Sequence, residues 1–274
     1  MDHTPVTRMS AEVFNSKTEF VDSVFLSVQA ANHHQELVYT EAPATWAIEA
    51  ADYLDERLEA KNTRKHYNSK TFTLWIRIMP TRIHDCHQIW YGSEKVGWQE
   101  TGIMTPNECR YLKNSVGTTI TFVGGPYHNS RKEPDLLLYP DNRSLPTLVI
   151  ESGWGESLPR LGDDMNLWLV GGGGAVEVTI ILNWRLNIAG RVKGDLQVYS
   201  LDRNGKPVLK QTEVIFPAPH PTIADSQVVN ITRKQLLGGA VLRSRNPHDN
   251  IPWSLNGLRE TARDALQLMG LTPA

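Results

Sequence analysis

Residues 131–157, RKEPDLLLYPDNRSLPTLVIESGWGES, decide the fold of this chain. Two short apolar runs, predicted as strands over 135–139 and 147–152, are joined by a turn that contains Pro and Asn. Asp135 opens the first run after a proline, and Glu151 lies at the end of the second. Neighbouring strands that each carry an acid at one sheet end can deliver both carboxylates to one point, so we expect Asp135 and Glu151 to lie close together.

The flanking sequence extends this pattern in both directions. The run AVEVTIILNW at 175–184 is apolar on both faces and predicts a central strand. Thr105-Pro106-Asn107-Glu108 predicts a helix start with a capping box. Periodicity predicts the remaining elements, which are helices over 11–30, 45–61, 105–114, 156–169 and 255–269 and strands over 71–79, 118–123, 191–199 and 208–216. This order predicts an α/β (α+β) fold, a mixed β-sheet flanked by helices.

The chain resembles the PD-(D/E)XK superfamily of restriction-endonuclease-like proteins at Pro134-Asp135 and at Glu151-Ser152-Gly153. It is also similar to a group of uncharacterised fungal proteins over residues 78–184. That second similarity is carried by His84-Asp85, Lys132–Leu136, Val149–Trp154 and Asp163–Gly172. The resemblance implies a single restriction-endonuclease-like domain over 1–274, with N-terminal helices at about 10–62, a core at about 70–216 and a C-terminal helical segment at about 232–270.

The chain departs from the family at the catalytic lysine. In active nucleases of this superfamily a lysine stands two residues after the second acid, where this chain has Gly153. That lysine orients the attacking water and offsets charge on the phosphate, which is an electrostatic role that glycine cannot fill. Some members place the lysine elsewhere, and Lys132, Arg160 and Lys193 are candidates for a migrated one. A nuclease would hold Mg²⁺ at Asp135 and Glu151; otherwise no cofactor is expected.

Further side chains are candidates for the same site. We expect His84 and Glu156 to act with the acid pair, His84 as an acid or base at a pocket rim and Glu156 at a helix start that favours a carboxylate. Trp154, Trp75, Arg77 and His87 are the predicted substrate-binding residues, because aromatic walls with few polar groups are typical of small-molecule pockets. The run His84-Asp85-Cys86-His87 has no second ligand cluster at metal-finger spacing, so no zinc site is predicted.

Composition limits the partners of this protein. Its 274 residues carry 28 basic and 30 acidic side chains, a net charge of −2, which argues against a nucleic-acid partner because phosphate contacts use Lys and Arg. Two cysteines form no disulfide framework. The sequence shows neither a secretory pattern nor an apolar run long enough to span a membrane. We therefore expect a reduced, cytoplasmic protein without membrane contact, and no oligomeric state follows from the sequence.

Three hypotheses for function follow. The first is a nuclease scaffold converted to act on an apolar small molecule, as a cyclase or isomerase of fungal secondary metabolism without nuclease activity. An intramolecular [4+2] closure of the Diels–Alder type is one concrete example, since binding a flexible precursor in a reactive conformation accelerates such a step. The second is a Mg²⁺-dependent nuclease with a migrated lysine, and the third is a non-catalytic protein-binding module. The glycine at position 153, the charge balance and the aromatic residues favour the first.

Overall fold

The computed structural model describes residues 5–58, 62–141, 143–155 and 158–274. The chain has a mixed α/β structure and divides into two compact units. The first unit contains the chain up to Thr81 and residues 117–134, and the second contains 82–116 and 135–274. Each unit has its own cluster of buried apolar side chains. That the whole chain acts as one domain stays a prediction.

The helices are α1 (Lys17–Ala30), α2 (Ala44–Arg57), α3 (Arg82–Glu100), α4 (Pro106–Tyr111), α5 (Leu158–Gly171), α6 (Pro221–Ala224), α7 (Arg233–Leu237) and α8 (Leu255–Leu268). Among the described helices, none is long and apolar enough to cross a membrane.

The strands are β1 (Val6–Ser10), β2 (Gln35–Thr40), β3 (Thr63–Asn68), β4 (Thr73–Ile78), β5 (Leu112–Ser115), β6 (Ile120–Thr121), β7 (Arg131–Lys132), β8 (Leu136–Pro140), β9 (Leu148–Trp154), β10 (Val178–Leu186), β11 (Arg191–Leu201), β12 (Pro207–Phe216), β13 (Val228–Thr232), β14 (Asn250–Ser254) and β15 (Thr272–Pro273).

The first unit is built on a sheet with the strand order β1-β2-β4-β3-β7-β6. The predicted strand over 71–79 is confirmed as β4, in which Leu74, Ile76 and Ile78 are fully buried. These side chains share one face because side chains alternate along a strand. They pack with Phe20 of α1 and Ala47 of α2 in one apolar core.

The second unit is built on a sheet with the order β12-β11-β10-β9-β8-β5. β8 and β9 are antiparallel, β9 and β10 are parallel, and α5 connects those two parallel strands. The predicted central strand over 175–184 is confirmed as β10, and the predicted strands over 191–199 and 208–216 are confirmed as the antiparallel pair β11–β12. The predicted mixed sheet with flanking helices is therefore present.

Several predicted boundaries were wrong. The capping box at Thr105 and Glu108 is present, but α4 ends at Tyr111 because the chain continues directly into β5. The strand expected over 118–123 is reduced to the two residues of β6, and α1 begins only after its N-cap Ser16. Lys61, the predicted end of the second helix, lies outside the described residues.

Candidate functional site

The two predicted acids lie side by side in the second unit. β8 and β9 pair in the register Leu136–Ile150, and one further step brings Asp135 opposite Glu151. Asp135 Oδ2 accepts a hydrogen bond of 2.8 Å from the backbone N–H of Ser152. Both carboxyl groups are buried, with 4% of Asp135 and 1% of Glu151 exposed. The strand does not end near Glu151 as expected, since β9 continues to Trp154 alongside β10.

Helix α5 covers the face of the sheet on which Glu151 lies. Trp168 of α5 donates its indole N–H to Glu151 Oε1 at 2.7 Å. One and two turns earlier on the helix are Asp164 and Arg160, both buried and joined by a contact of 3.5 Å. The opposite face of β9 carries Ile150, which packs in the core with side chains of α3 and α8. Glu151 therefore belongs to the α5 side of the sheet.

Position 153, where the family has its lysine, faces Asn183 of the next strand. Gly153 pairs with Asn183 in the parallel register of β9 and β10, so Asn183 stands on the same face as Glu151. Asn183 is buried, and its Oδ1 has no hydrogen-bond partner among the described residues. Sequence reasoning missed this residue, because only the strand register places it beside the acid pair.

Both candidate histidines lie on α3, and the expectation of a pocket rim is wrong because both are fully buried. His84 Nδ1 lies 3.1 Å from the carbonyl oxygen of Ser152. Burial lowers the pKa of His87 below its ordinary value, and the charge of nearby Asp135 opposes this only in part. Both ring nitrogens of His87 are buried, and backbone groups of Asp135 and His84 near the ring also oppose the lowering of its pKa.

The predicted aromatic residues are distributed over both units. Trp154 is buried at the end of β9, on the face opposite Glu151. Trp75 and Arg77 belong to β4 of the first unit, where both side chains donate hydrogen bonds to Glu36 at 3.1 and 3.2 Å. The roles of these three residues in binding stay predictions. Glu156 lies outside the described residues.

The three candidates for a migrated lysine lie on different elements. Lys132 is buried on β7 of the first unit. Arg160 lies on α5 and contacts Asp164, as described above. Lys193 is exposed on β11, where it pairs in register with Arg185 of β10. The contacts of these three residues do not indicate that any of them replaces the catalytic lysine of the family. A migrated lysine therefore stays a prediction.

The first unit contains a buried acid, Glu133, that is held by a buried cation. Lys65 lies 3.0 Å from Glu133 and 2.8 Å from Asp55. Burial alone would lower the pKa of Lys65, but the charges of Glu133 and Asp55 outweigh it and raise the pKa. A cavity beside these groups has a volume of about 20 Å³, which is room for a water molecule rather than an organic ligand.

The described residues include no group of three or more His, Cys, Asp or Glu side chains arranged to hold a metal ion. Asp135 and Glu151 remain a pair of hard oxygen ligands, which is the donor type that Mg²⁺ prefers. A scan against protein-family models finds no match for this chain, and a search of the curated proteins finds none either.

Proposed function

We propose that the second unit is an acid–base enzyme that isomerises or cyclises a small molecule on a restriction-endonuclease-like scaffold. The observation that supports this most is the burial of two adjacent carboxyl groups, Asp135 and Glu151, which are 4% and 1% exposed. A nucleic-acid chain needs an open groove that runs along its backbone. A small molecule can instead be enclosed beside buried acids, where electrostatic interactions are stronger than in water.

In the proposed enzyme the two acids transfer protons. Neighbouring carboxyl groups can hold one proton between them, so that one acts as the acid and the other as the base. The base removes a proton from one position of the substrate and the acid returns a proton at another, which leaves the substrate's composition unchanged. The N–H groups of Ser152 and Trp168 fix the orientation of Asp135 and Glu151 during this exchange. Within this proposal, a cyclase or isomerase of fungal secondary metabolism is the hypothesis that the sequence favours.

The chain order of the second unit supports the proposed scaffold. An acid precedes β8, a second acid lies in the antiparallel strand β9, and α5 then leads to the apolar strand β10. This is the order that the PD-(D/E)XK resemblance implies. In an enzyme that acts on a small molecule, the same scaffold would position the two acids without the lysine at position 153.

A Mg²⁺-dependent nuclease is the second candidate, and the adjacency of Asp135 and Glu151 favours it. These two residues would hold the ion, with water and phosphate oxygens completing its shell. When bound, Mg²⁺ would stabilise charge on the phosphate. The nuclease hypothesis further requires that a cation such as Lys132, Arg160 or Lys193 replaces the missing lysine.

Deuterium incorporation tests the proposal. The protein is incubated in D₂O with a fungal small-molecule extract, and the products are followed by mass spectrometry. We expect at least one compound to be converted without a change in composition and to gain deuterium. Asp135→Asn and Glu151→Gln should each slow the conversion by a factor of about 10²–10⁴, which is the usual contribution of a general acid or base.

Asp163→Asn is the matched control, because Asp163 is an exposed acid on α5. It should leave the conversion unchanged. The same proteins are incubated with plasmid and single-stranded DNA in the presence of Mg²⁺ or Mn²⁺. Cleavage that depends on Asp135 and Glu151 would support the nuclease instead. Conversion without deuterium uptake, as in a [4+2] closure, would also contradict the acid–base proposal, and inactivity in both assays would support a protein-binding module.

A further inference from the structure

We propose that Asn183 binds the substrate by accepting a hydrogen bond from a hydroxyl or amino group of that molecule. This inference rests on the function proposed above and adds to it the chemical class of the ligand. The expected apolar small molecule would then carry at least one O–H or N–H donor close to the atoms on which the acids act.

The sheet register places Asn183 next to the acid pair. Asn183 pairs with Gly153, and Ile181, two residues earlier on β10, pairs with Glu151. Strand spacing and rise then put the Cα atoms of Asn183 and Glu151 about 8 Å apart on one face of the sheet. Gly153 has no side chain, so the residue that projects on this face beside both Asn183 and Glu151 is Ile181.

The hydrogen bonding of Asn183 indicates a missing donor. Only 3% of the residue is exposed, and its Oδ1 has no partner among the described residues. A buried amide oxygen without a donor destabilises the folded protein, so such groups are rare in folded proteins. A ligand that supplies the donor would remove this cost when it binds.

The neighbouring groups restrict the chemistry of the ligand. Glu151 presents carboxyl oxygens on the same side of the sheet as Asn183, and an amide oxygen is also an acceptor. The indole of Trp168 lies beside Glu151 and provides aromatic surface. The ligand that fits these groups is therefore an alcohol or an amine on an apolar ring or chain, rather than a hydrocarbon or an anion.

Benzyl alcohol, with toluene as the analogue that lacks the donor, tests this inference. Binding to the full chain is measured by NMR at millimolar concentration, and the side-chain amide resonance of Asn183 is followed. We expect benzyl alcohol to shift that resonance and toluene to leave it unchanged. Asn183→Leu, which keeps the branched shape without the acceptor, should weaken alcohol binding by about tenfold or more.

Thr179→Val is the matched control. Thr179 is also buried on β10, its Oγ1 has no partner among the described residues, and it pairs with Val149, away from position 153. Each substitution removes a buried polar atom that has no hydrogen-bond partner among the described residues. Each should therefore raise the melting temperature by about 2–4 °C. Only Asn183→Leu should weaken the binding of benzyl alcohol.

Three results would overturn the inference: no binding of benzyl alcohol to the wild-type chain, equal responses to alcohol and toluene, or unchanged affinity in Asn183→Leu. A lower melting temperature in Asn183→Leu would also contradict it, because the amide would then be satisfied within the protein. Ligand binding and melting temperature can be measured without any conversion of a substrate. If the alcohol binds as expected while Asp135→Asn and Glu151→Gln leave the conversion unchanged, the acid–base proposal fails and the binding role of Asn183 stands.

Discussion

The two units hold their buried acids in different ways. In the first unit Glu36 receives hydrogen bonds from the guanidinium of Arg77 and the indole of Trp75. Glu133 of that unit lies against the ammonium of Lys65. In the second unit the described hydrogen bonds to Asp135 and Glu151 come from a backbone N–H and an indole N–H.

The difference shows how a buried acid can be kept in place for chemistry. An acid paired with a buried cation loses its charge when it takes up a proton, and the cation is then buried without a counter-charge. The charged form of such an acid is therefore required for stability. An N–H donor can also bond to the carbonyl oxygen of a protonated carboxyl group, so these two donors remain when the acid takes up a proton. The proposed proton transfer uses the acids of the second unit, and the buried ion pairs indicate a structural role for those of the first. The following predictions test this contrast through the free energy of unfolding.

The largest effect is expected from Arg77→Met in the first unit. Glu36 would remain buried without the guanidinium, which typically destabilises a protein by about 3–5 kcal/mol. Chemical denaturation measures the change. The double variant Glu36→Gln/Arg77→Met should recover part of the loss, and Lys17→Met, which breaks the half-exposed pair with Glu49, should cost at most about 1 kcal/mol. If Arg77→Met lowers the free energy of unfolding no more than Lys17→Met does, the contrast between the acids of the two units is wrong.

A smaller effect is expected from Trp168→Phe in the second unit. It removes the N–H donor of Glu151 and some buried volume, and hydrogen bonds to charged groups contribute about 1.5–3 kcal/mol. Trp184→Phe is the matched control, because Trp184 is equally buried and donates to the neutral hydroxyl of Ser152 at 3.1 Å. Denaturation should give the larger loss for Trp168→Phe. Equal losses in the free energy of unfolding would mean that the hydrogen bond from Trp168 to Glu151 adds nothing to stability beyond the packing of the ring.

The stability of the second unit should also depend on pH through His87. Because burial lowers the pKa of His87 from 6.5, the unfolded chain takes up a proton at a higher pH than the folded chain does. The free energy of unfolding should therefore fall as the pH drops below about 6.5, by at most about 1.4 kcal/mol per pH unit, and be unaffected by His87 above that range.

Denaturation at a series of pH values compares the wild-type chain with His87→Leu, which should lose this part of the slope. His34 of the first unit also has a pKa lowered by burial. His34→Leu should therefore remove a separate part of the pH dependence of the free energy of unfolding. An unchanged slope in His87→Leu would contradict the burial argument.

The smallest effect on stability is expected from Asp135→Asn. The amide oxygen of asparagine can still accept the hydrogen bond from the Ser152 N–H, so the free energy of unfolding should change by no more than about 1 kcal/mol. The same substitution should slow deuterium transfer by a factor of about 10²–10⁴. Denaturation and the conversion assay on one protein sample measure both. A loss of stability as large as that of Arg77→Met would place Asp135 with the structural acids of the first unit.

Local sequence signals predicted much of the second unit. The apolar runs predicted β9 and β10, the periodicity over 191–199 and 208–216 predicted β11 and β12, and Thr105 with Glu108 predicted a helix start. Helix α3 was missed because Gly92 and Gly97 interrupt it and its buried face mixes polar and aromatic residues. Strand β3 was missed because TRKHYN has no apolar pattern. Its buried Lys65 depends on Glu133, which is distant in sequence.

The candidate site was predictable only where its residues lie close to one another in the chain. The PD and ESG stretches predicted Asp135 and Glu151, and the adjacency of their strands follows from a short connection. Asn183 could not be found in this way, since one residue of shift in the β9–β10 register would have placed it on the other face. The pocket-rim prediction for His84 failed because burial depends on how α3 packs, which the His-Asp-Cys-His run does not determine.

Ser152 connects the strand that carries Glu151 to three neighbouring elements. Its backbone N–H bonds to Asp135, its carbonyl oxygen lies against His84, and its hydroxyl accepts from Trp184. Two of these three contacts use main-chain atoms, which every amino acid except proline supplies in full. Mutation of residue 152 therefore leaves most of this anchoring intact, and residues 153 and 183 lie outside it. Over evolution such a protein can exchange the groups that determine its reaction while the strand that presents them stays in place.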